Sequence, residues 1–190
     1  MNIRARLRAR NLVVPLWTLF AAAFALALVV APGTALAREY SISKVYIDAT
    51  LDDDGALTVV ESRTFDFDGS FNGVYWDIPK GLNPGNGREV EISVLSAGEG
   101  GGFGMQEFSE GYSGQNGTYE VDDRGDVLRL KVYSSHEDER ATFTIAYRAT
   151  GIATRWDDTG ELYWKFVSDG WDVESQNVIC NLHLPVPVGE

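Results

Sequence analysis

Asp157, Asp158 and Glu161 lie between Trp156 and Trp164, which brings carboxylates and indole rings close together along the chain. Glycoside hydrolysis uses that combination: one carboxyl group protonates the leaving oxygen, a second acts as base or nucleophile, and a ring supports the sugar. Such a pair also needs one acid buried to raise its pKa, and nothing in the neighbouring sequence indicates that burial. A second acidic set, Asp66, Asp68 and Asp77, offers oxygen ligands for a hard cation if residues 65–81 fold back on themselves. The run from Thr50 to Glu61 fails as a helix–loop–helix calcium loop, because Thr50 stands at the first ligand position and both flanks alternate like strands. His136, His183 and Cys180 lack the spacing of zinc ligands, and Gly111-Tyr-Ser-Gly lacks the last glycine of a nucleophile elbow. No catalytic residue, metal or cofactor is therefore expected.

Aromatic turns offer a better-supported chemistry, which is binding. Tyr75, Trp76 and Asp77 in one segment, and Trp156, Trp171 and Asp172 in others, are the candidate binding residues. Flat rings stack on the apolar faces of sugars while carboxylates accept hydrogen bonds from hydroxyls. Trp164, in Leu-Tyr-Trp-Lys-Phe, is expected in the core because it falls in a strand. Residues 65–81, Phe-Asp-Phe-Asp-Gly-Ser-Phe-Asn-Gly-Val-Tyr-Trp-Asp-Ile-Pro-Lys-Gly, read mainly as a structural corner. Phe65 and Phe67 share one strand face, Gly69 and Gly73 permit a reversal around Phe71, and Pro79 holds Ile78 extended.

The elements that must carry these residues are strands. Val45, Ile47, Ala49 and Leu51 alternate with polar residues, and Asp52-Asp53-Asp54-Gly55 turns the chain into a second strand over residues 56–67. The same alternation recurs around residues 90–94 and 141–147, and residues 119–121 and 127–133 read as a hairpin. Further strands are expected over residues 161–166 and 176–184. In the last of these, Val178, Cys180, Leu182 and Leu184 share a face, and Cys180 is expected as a small buried hydrophobe. Residues 97–117, rich in glycine, read as a mobile, exposed insertion. About eight strands without helices predict an all-β fold, an antiparallel β-sandwich of immunoglobulin-like architecture. A single cysteine excludes an internal disulfide, so the core alone must stabilise it.

The N-terminus reads as an address. Arg4, Arg6, Arg8 and Arg10 precede an apolar run from Leu12 to Ala31, and Ala35-Leu36-Ala37 has the small-x-small pattern of a signal-peptidase site. We expect residues 1–37 to be a signal peptide cleaved after Ala37, and residues 38–190 to be one extracytoplasmic domain. Because the apolar run is long enough to span a bilayer, an uncleaved signal anchor is the competing reading. Without residues 1–37 the chain has 12 Lys/Arg against 28 Asp/Glu, a net charge of about −16. That balance excludes nucleic acid as a partner and disfavours anionic lipid surfaces.

Several motifs together resemble one family: Val59-x-Glu61, Phe67-x-Gly69-x-Phe71-x-Gly73, Ile78-Pro79, Phe143-Thr-Ile-Ala-Tyr147, Glu161-Leu-Tyr-Trp164, Gly170-Trp171 and Leu184-Pro185. Their order is similar to that in the N-terminal domain of predicted bacterial membrane proteins with the domain of unknown function numbered 2207. The resemblance implies a β-rich extracytoplasmic domain without assigned catalytic residues, in proteins that usually continue into transmembrane helices. No apolar span follows residue 37 here. Membrane attachment is thus expected through a C-terminal region missing from this sequence or through an uncleaved signal anchor. The functional expectation is a non-enzymatic interaction module of the cell envelope, exported or secreted, with an envelope protein as partner. A glycan-binding module is the alternative, and an envelope polysaccharide hydrolase comes third.

Overall fold

A computed structural model of the protein describes residues 38–112 and 114–185. The expected signal peptide over residues 1–37, with its cleavage after Ala37, lies outside the described residues. In chain order the strands are β1 (Glu39–Leu51), β2 (Leu57–Asp68), β3 (Ser70–Phe71), β4 (Val74–Pro79) and β5 (Gly81–Leu82). Next come β6 (Glu89–Glu99), β7 (Gln106–Glu107), β8 (Ser109–Glu110), β9 (Thr118–Asp123) and β10 (Val127–Tyr133). The series ends with β11 (His136–Glu137), β12 (Arg140–Thr150), β13 (Ala153–Arg155), β14 (Gly160–Leu162) and β15 (Val178–His183). Eight of these have six residues or more, and the only helical turn among the described residues is a 3-10 turn at Gly102–Gly104.

A seven-stranded sheet runs β15-β1-β2-β12-β6-β5, with β7 also pairing β6, and a four-stranded sheet runs β4-β10-β9-β8. Both send their apolar side chains into one core, as an all-β sandwich requires. From the first sheet come Ile42, Val45, Ile47, Leu57, Val59, Phe65, Phe143 and Ile145; from the second, Val74, Trp76, Ile78, Leu128, Leu130 and Val132. Alternation along each strand produces this division. In β2, Leu57, Val59, Phe65 and Phe67 face inward, while Thr58, Ser62 and Thr64 face outward. The outward hydroxyls pair across to β12, Ser62 with Thr144 at 2.7 Å and Thr64 with Thr142 at 2.9 Å, the cross-strand contacts that fix register. The β1–β2 and β9–β10 hairpins form as the spacing predicts.

Three expectations need correction. First, the sandwich is not wholly antiparallel, because β15 joins β1 in parallel, with Ile47 opposite Cys180. Its Val178, Cys180 and Leu182 do continue the inward face of Val45, Ile47 and Ala49, but β15 is an edge strand that no element of the described residues covers. Cys180 is consequently exposed rather than buried. Native protein should therefore react stoichiometrically with a maleimide, without denaturant; protection until unfolding would contradict the exposed edge. The reaction will be slow for a free thiol, since desolvation, and then the Asp48 carboxylate, push the Cys180 thiol up.

Second, residues 97–117 are not simply an exposed insertion. β6 extends through this segment to Glu99, β7 pairs back on it, and Phe108 is buried in the core. Gly98 makes that return possible: a Cβ there would stand 2.1 Å from the Gln106 carbonyl oxygen. Tyr112 remains exposed. Third, the strand expected over residues 161–166 is confined to β14, and Trp164 beyond it is half-buried against Tyr147, with ring centroids 6.1 Å apart.

The corner at residues 65–81 forms as the sequence predicts. Phe65 and Phe67 stack in parallel with centroids 5.6 Å apart, Phe71 folds back to 4.7 Å from Phe67, and Gly69 and Gly73 take φ of 90° and 145°. β4 then leaves the corner as the edge strand of the four-stranded sheet.

Candidate functional site

A cleft of about 400 Å³ opens beside β4, between the corner and the segment that leads into β15. Alternation along β4 divides its residues. Val74, Trp76 and Ile78 face the core, leaving Tyr75 and Asp77 on the side that reaches solvent. The floor is Phe65 and Phe67, and Tyr40, Phe71 and Trp171 form half-buried aromatic walls. Gly170 brings the opposite segment close: a Cβ at that position would lie 3.1 Å from Asp77 Cβ.

Asp77 and Arg129 face each other across β4 and β10. Arg129 donates through Nε to Asp77 Oδ1 and through Nη2 to Oδ2, both at 2.6 Å, and its guanidinium lies 5.4 Å from the Tyr75 ring centre. Those hydrogen bonds hold the Asp77 carboxyl below the usual aspartate range and raise the Arg129 guanidinium. Asp172 is exposed at the mouth of the cleft. No basic side chain of the described residues lies within ion-pair distance of it. It stands near Tyr40, whose hydroxyl is pushed up by burial and then by the Asp172 charge.

Trp171 is held from behind. Arg63 faces inward from β2 and is 1% exposed; its guanidinium lies 4.5 Å from the centre of the Trp171 ring. Arg63 Nη1 donates to Ser175 Oγ at 2.8 Å, and its Nε donates to Glu61. Glu61, 3% exposed, also accepts from Trp76 Nε1 at 3.0 Å. Burial pushes the Glu61 carboxyl up against the opposing pull of Arg63, and burial together with the Glu61 charge pushes the Tyr147 hydroxyl up. The Glu61–Arg63 pair thus joins the core to the segment that carries Trp171 and Ser175.

Of the sequence-predicted residues, Tyr75, Asp77, Trp171 and Asp172 line this one cleft. Trp76 does not line it; it is a core side chain, 2% exposed, and meets Trp171 edge-on at 5.4 Å. Trp156 is also outside the lining and instead donates to Glu161 on β14 at 3.3 Å. Asp157, Asp158 and Glu161 are exposed around that hairpin, away from the cleft lining. Asp66, Asp68 and Asp77 do not converge on a cation, since Arg140 takes Asp66 at 2.5 Å and Arg129 takes Asp77.

Sequence reasoning missed Tyr40, Arg129 and the Arg63 clamp. A signal existed for the last: Glu61 and Arg63 interrupt the inward positions of an otherwise apolar period-two run, with opposite charges on one face. No comparable signal linked Asp77 to Arg129, because register between distant strands set that pair. Comparison with curated proteins gives no match. A family model described as "Predicted membrane protein (DUF2207) N-terminal domain" matches residues 41–190, which include every residue of the cleft except Tyr40. By that match, which spans most of its length, the chain belongs to this family of predicted membrane proteins.

Proposed function

We propose that this domain is a non-enzymatic binding module on the extracytoplasmic side of a bacterial membrane, and that it takes its partner in the Trp171 cleft. The observation that carries the reading is the preformed aromatic cleft, with Trp171 fixed from behind by a buried guanidinium. A rigid concave site with aromatic walls and few polar groups loses little entropy when it fills. Export is supported by the signal-like residues 1–37 and fits the membrane-protein family. Attachment to the membrane would fit the family of predicted membrane proteins, and an uncleaved signal anchor over residues 1–37 is one route for it.

The lining supports binding over catalysis. Its one cation among the described residues, Arg129, is paired with Asp77, and the buried Glu61 is held by Arg63 and Trp76 behind the cleft wall. A glycan is the second reading, favoured by the Tyr75 and Trp171 rings beside the Asp77–Arg129 pair, a combination that suits a sugar face and its hydroxyls. Retention of partners from envelope extracts by immobilised protein tests both. Tyr75 is 56% exposed, so Tyr75→Ala leaves the fold intact. It should weaken retention by about 1–2 kcal/mol, roughly five- to thirtyfold. Recovered protein supports the first reading, recovered polysaccharide the second. Equal retention by Tyr75→Ala and wild type would remove the cleft from the function.

A further inference from the structure

The charge and shape of the cleft specify a ligand class, on the premise of the binding reading above. Its sole cation among the described residues, Arg129, is committed: two of its nitrogens point at Asp77, both at 2.6 Å, so the two charges offset each other. Arg38 lines the adjoining depression across Phe71 and Tyr75, not this cleft. The carboxylate left without a basic partner among the described residues is Asp172, at the mouth beside Tyr40 and Trp171. An anionic ligand would meet Asp172 with no free guanidinium or ammonium among the described lining residues to offset the repulsion. A neutral ligand could use Asp172 only as a hydrogen-bond acceptor and would leave its charge uncompensated. A cation finds both contributions at once: a carboxylate for its charge and the faces of Tyr40, Phe71 and Trp171 for its apolar body. The chain already places a guanidinium against two rings of the cleft lining, Arg63 over Trp171 and Arg129 over Tyr75. Its net charge of −12 also draws cations to the surface.

We propose that the Trp171 cleft binds an organic ammonium, with the cationic head against Asp172 and the Tyr40 ring and the apolar part against Phe71 and Trp171. Calorimetry with choline and with its uncharged isostere 3,3-dimethylbutan-1-ol separates charge from shape. Choline should bind, with the isostere at least about tenfold weaker, and Asp172→Asn should reduce choline affinity by a similar factor. Asp172 is exposed, so this variant should keep the wild-type melting temperature. Sedimentation with phosphatidylcholine vesicles, using wild type and Asp172→Asn, tells a lipid headgroup from a free amine. Binding that depends on Asp172 supports the proposal in either arm.

Equal affinity for choline and its isostere, or an Asp172→Asn protein that binds like wild type, would overturn it. So would a neutral chito-oligosaccharide that binds without regard to Asp172 while choline does not bind. In those cases the cleft still serves as a binding site wherever Tyr75→Ala weakens envelope retention. If choline fails to bind and Tyr75→Ala retains partners as wild type does, the binding reading falls as well.

Discussion

Replacing Arg63 by alanine should cost the domain about 3–5 kcal/mol, because it strips the partner from a carboxylate that is itself only 3% exposed. The substitution removes the charge that offsets Glu61, the hydrogen bond to Ser175 and the cation beneath Trp171. Urea unfolding at neutral pH measures the loss; a change under about 1 kcal/mol would show that the guanidinium is not the clamp. The loss should also depend on pH, with a definite sign. Burial already raises the Glu61 carboxyl above its ordinary range, and without Arg63 the opposing pull disappears. Over the window between the ordinary and the raised value, the folded state holds a proton that the unfolded state has released. Stability of Arg63→Ala therefore falls as pH rises through that window, and the deficit against wild type shrinks in acid. The double variant Glu61→Leu/Arg63→Met should recover part of the stability, since an apolar pair of similar volume needs no compensation for buried charge, less about 1–3 kcal/mol for the Trp76 Nε1–H that loses its acceptor. It should not recover the fixed position of Trp171, which would appear as weakened partner retention in a stable protein.

The second large effect belongs to the corner. Gly73→Val should leave the domain without a cooperative melt. At φ of 145° the backbone is in a region that residues with a side chain rarely adopt, and a Cβ would stand 2.1 Å from the Val132 carbonyl oxygen in β10. The backbone strain alone costs about 1–3 kcal/mol, and the contact cannot be relieved without separating β4 from β10. Gly69 is the internal control. Its φ is 90°, yet a Cβ there would meet only Arg38, its Cγ at 3.5 Å and its Cα at 3.7 Å, which are ordinary contacts. Gly69→Ala should thus lose about 1–2 kcal/mol and keep a sharp transition. Thermal melts of the two variants side by side check the argument; a Gly73→Val protein that melts like wild type would refute the close packing of the corner on β10.

The fold was legible because it rests on local regularities. Alternation in β1, β2 and β12 needs only that one face be wet and the other dry, and the turn at Asp52–Gly55 is short enough to set its own register. The corner was legible for the same reason, since Phe65, Phe67 and Phe71 lie within one short segment. Misreadings came where the environment of an element, and not its pattern, decides the outcome. Cys180 has the spacing of a buried residue on an apolar strand face, but burial requires a second layer, and β15 lies at the edge beyond it. The glycines of residues 97–117 look like slack in the chain, yet Gly98 is there to let β7 close on β6.

By itself the sequence determined the all-β class, the family, the acidic surface and the identity of Tyr75, Asp77, Trp171 and Asp172 as residues worth watching. These follow from composition, period-two spacing and ordered motifs, which are properties of the chain read in one dimension. Only the tertiary structure decided that those four share one cleft, that Trp76 is core and that Trp156 stands elsewhere. It also decided that Asp77 is neutralised by Arg129 while Asp172 has no basic partner among the described residues. The physical reason is that charge pairing and burial act through space. The partner of Asp77 lies 52 residues away and Arg63 reaches Ser175 across 112, separations that no local pattern encodes.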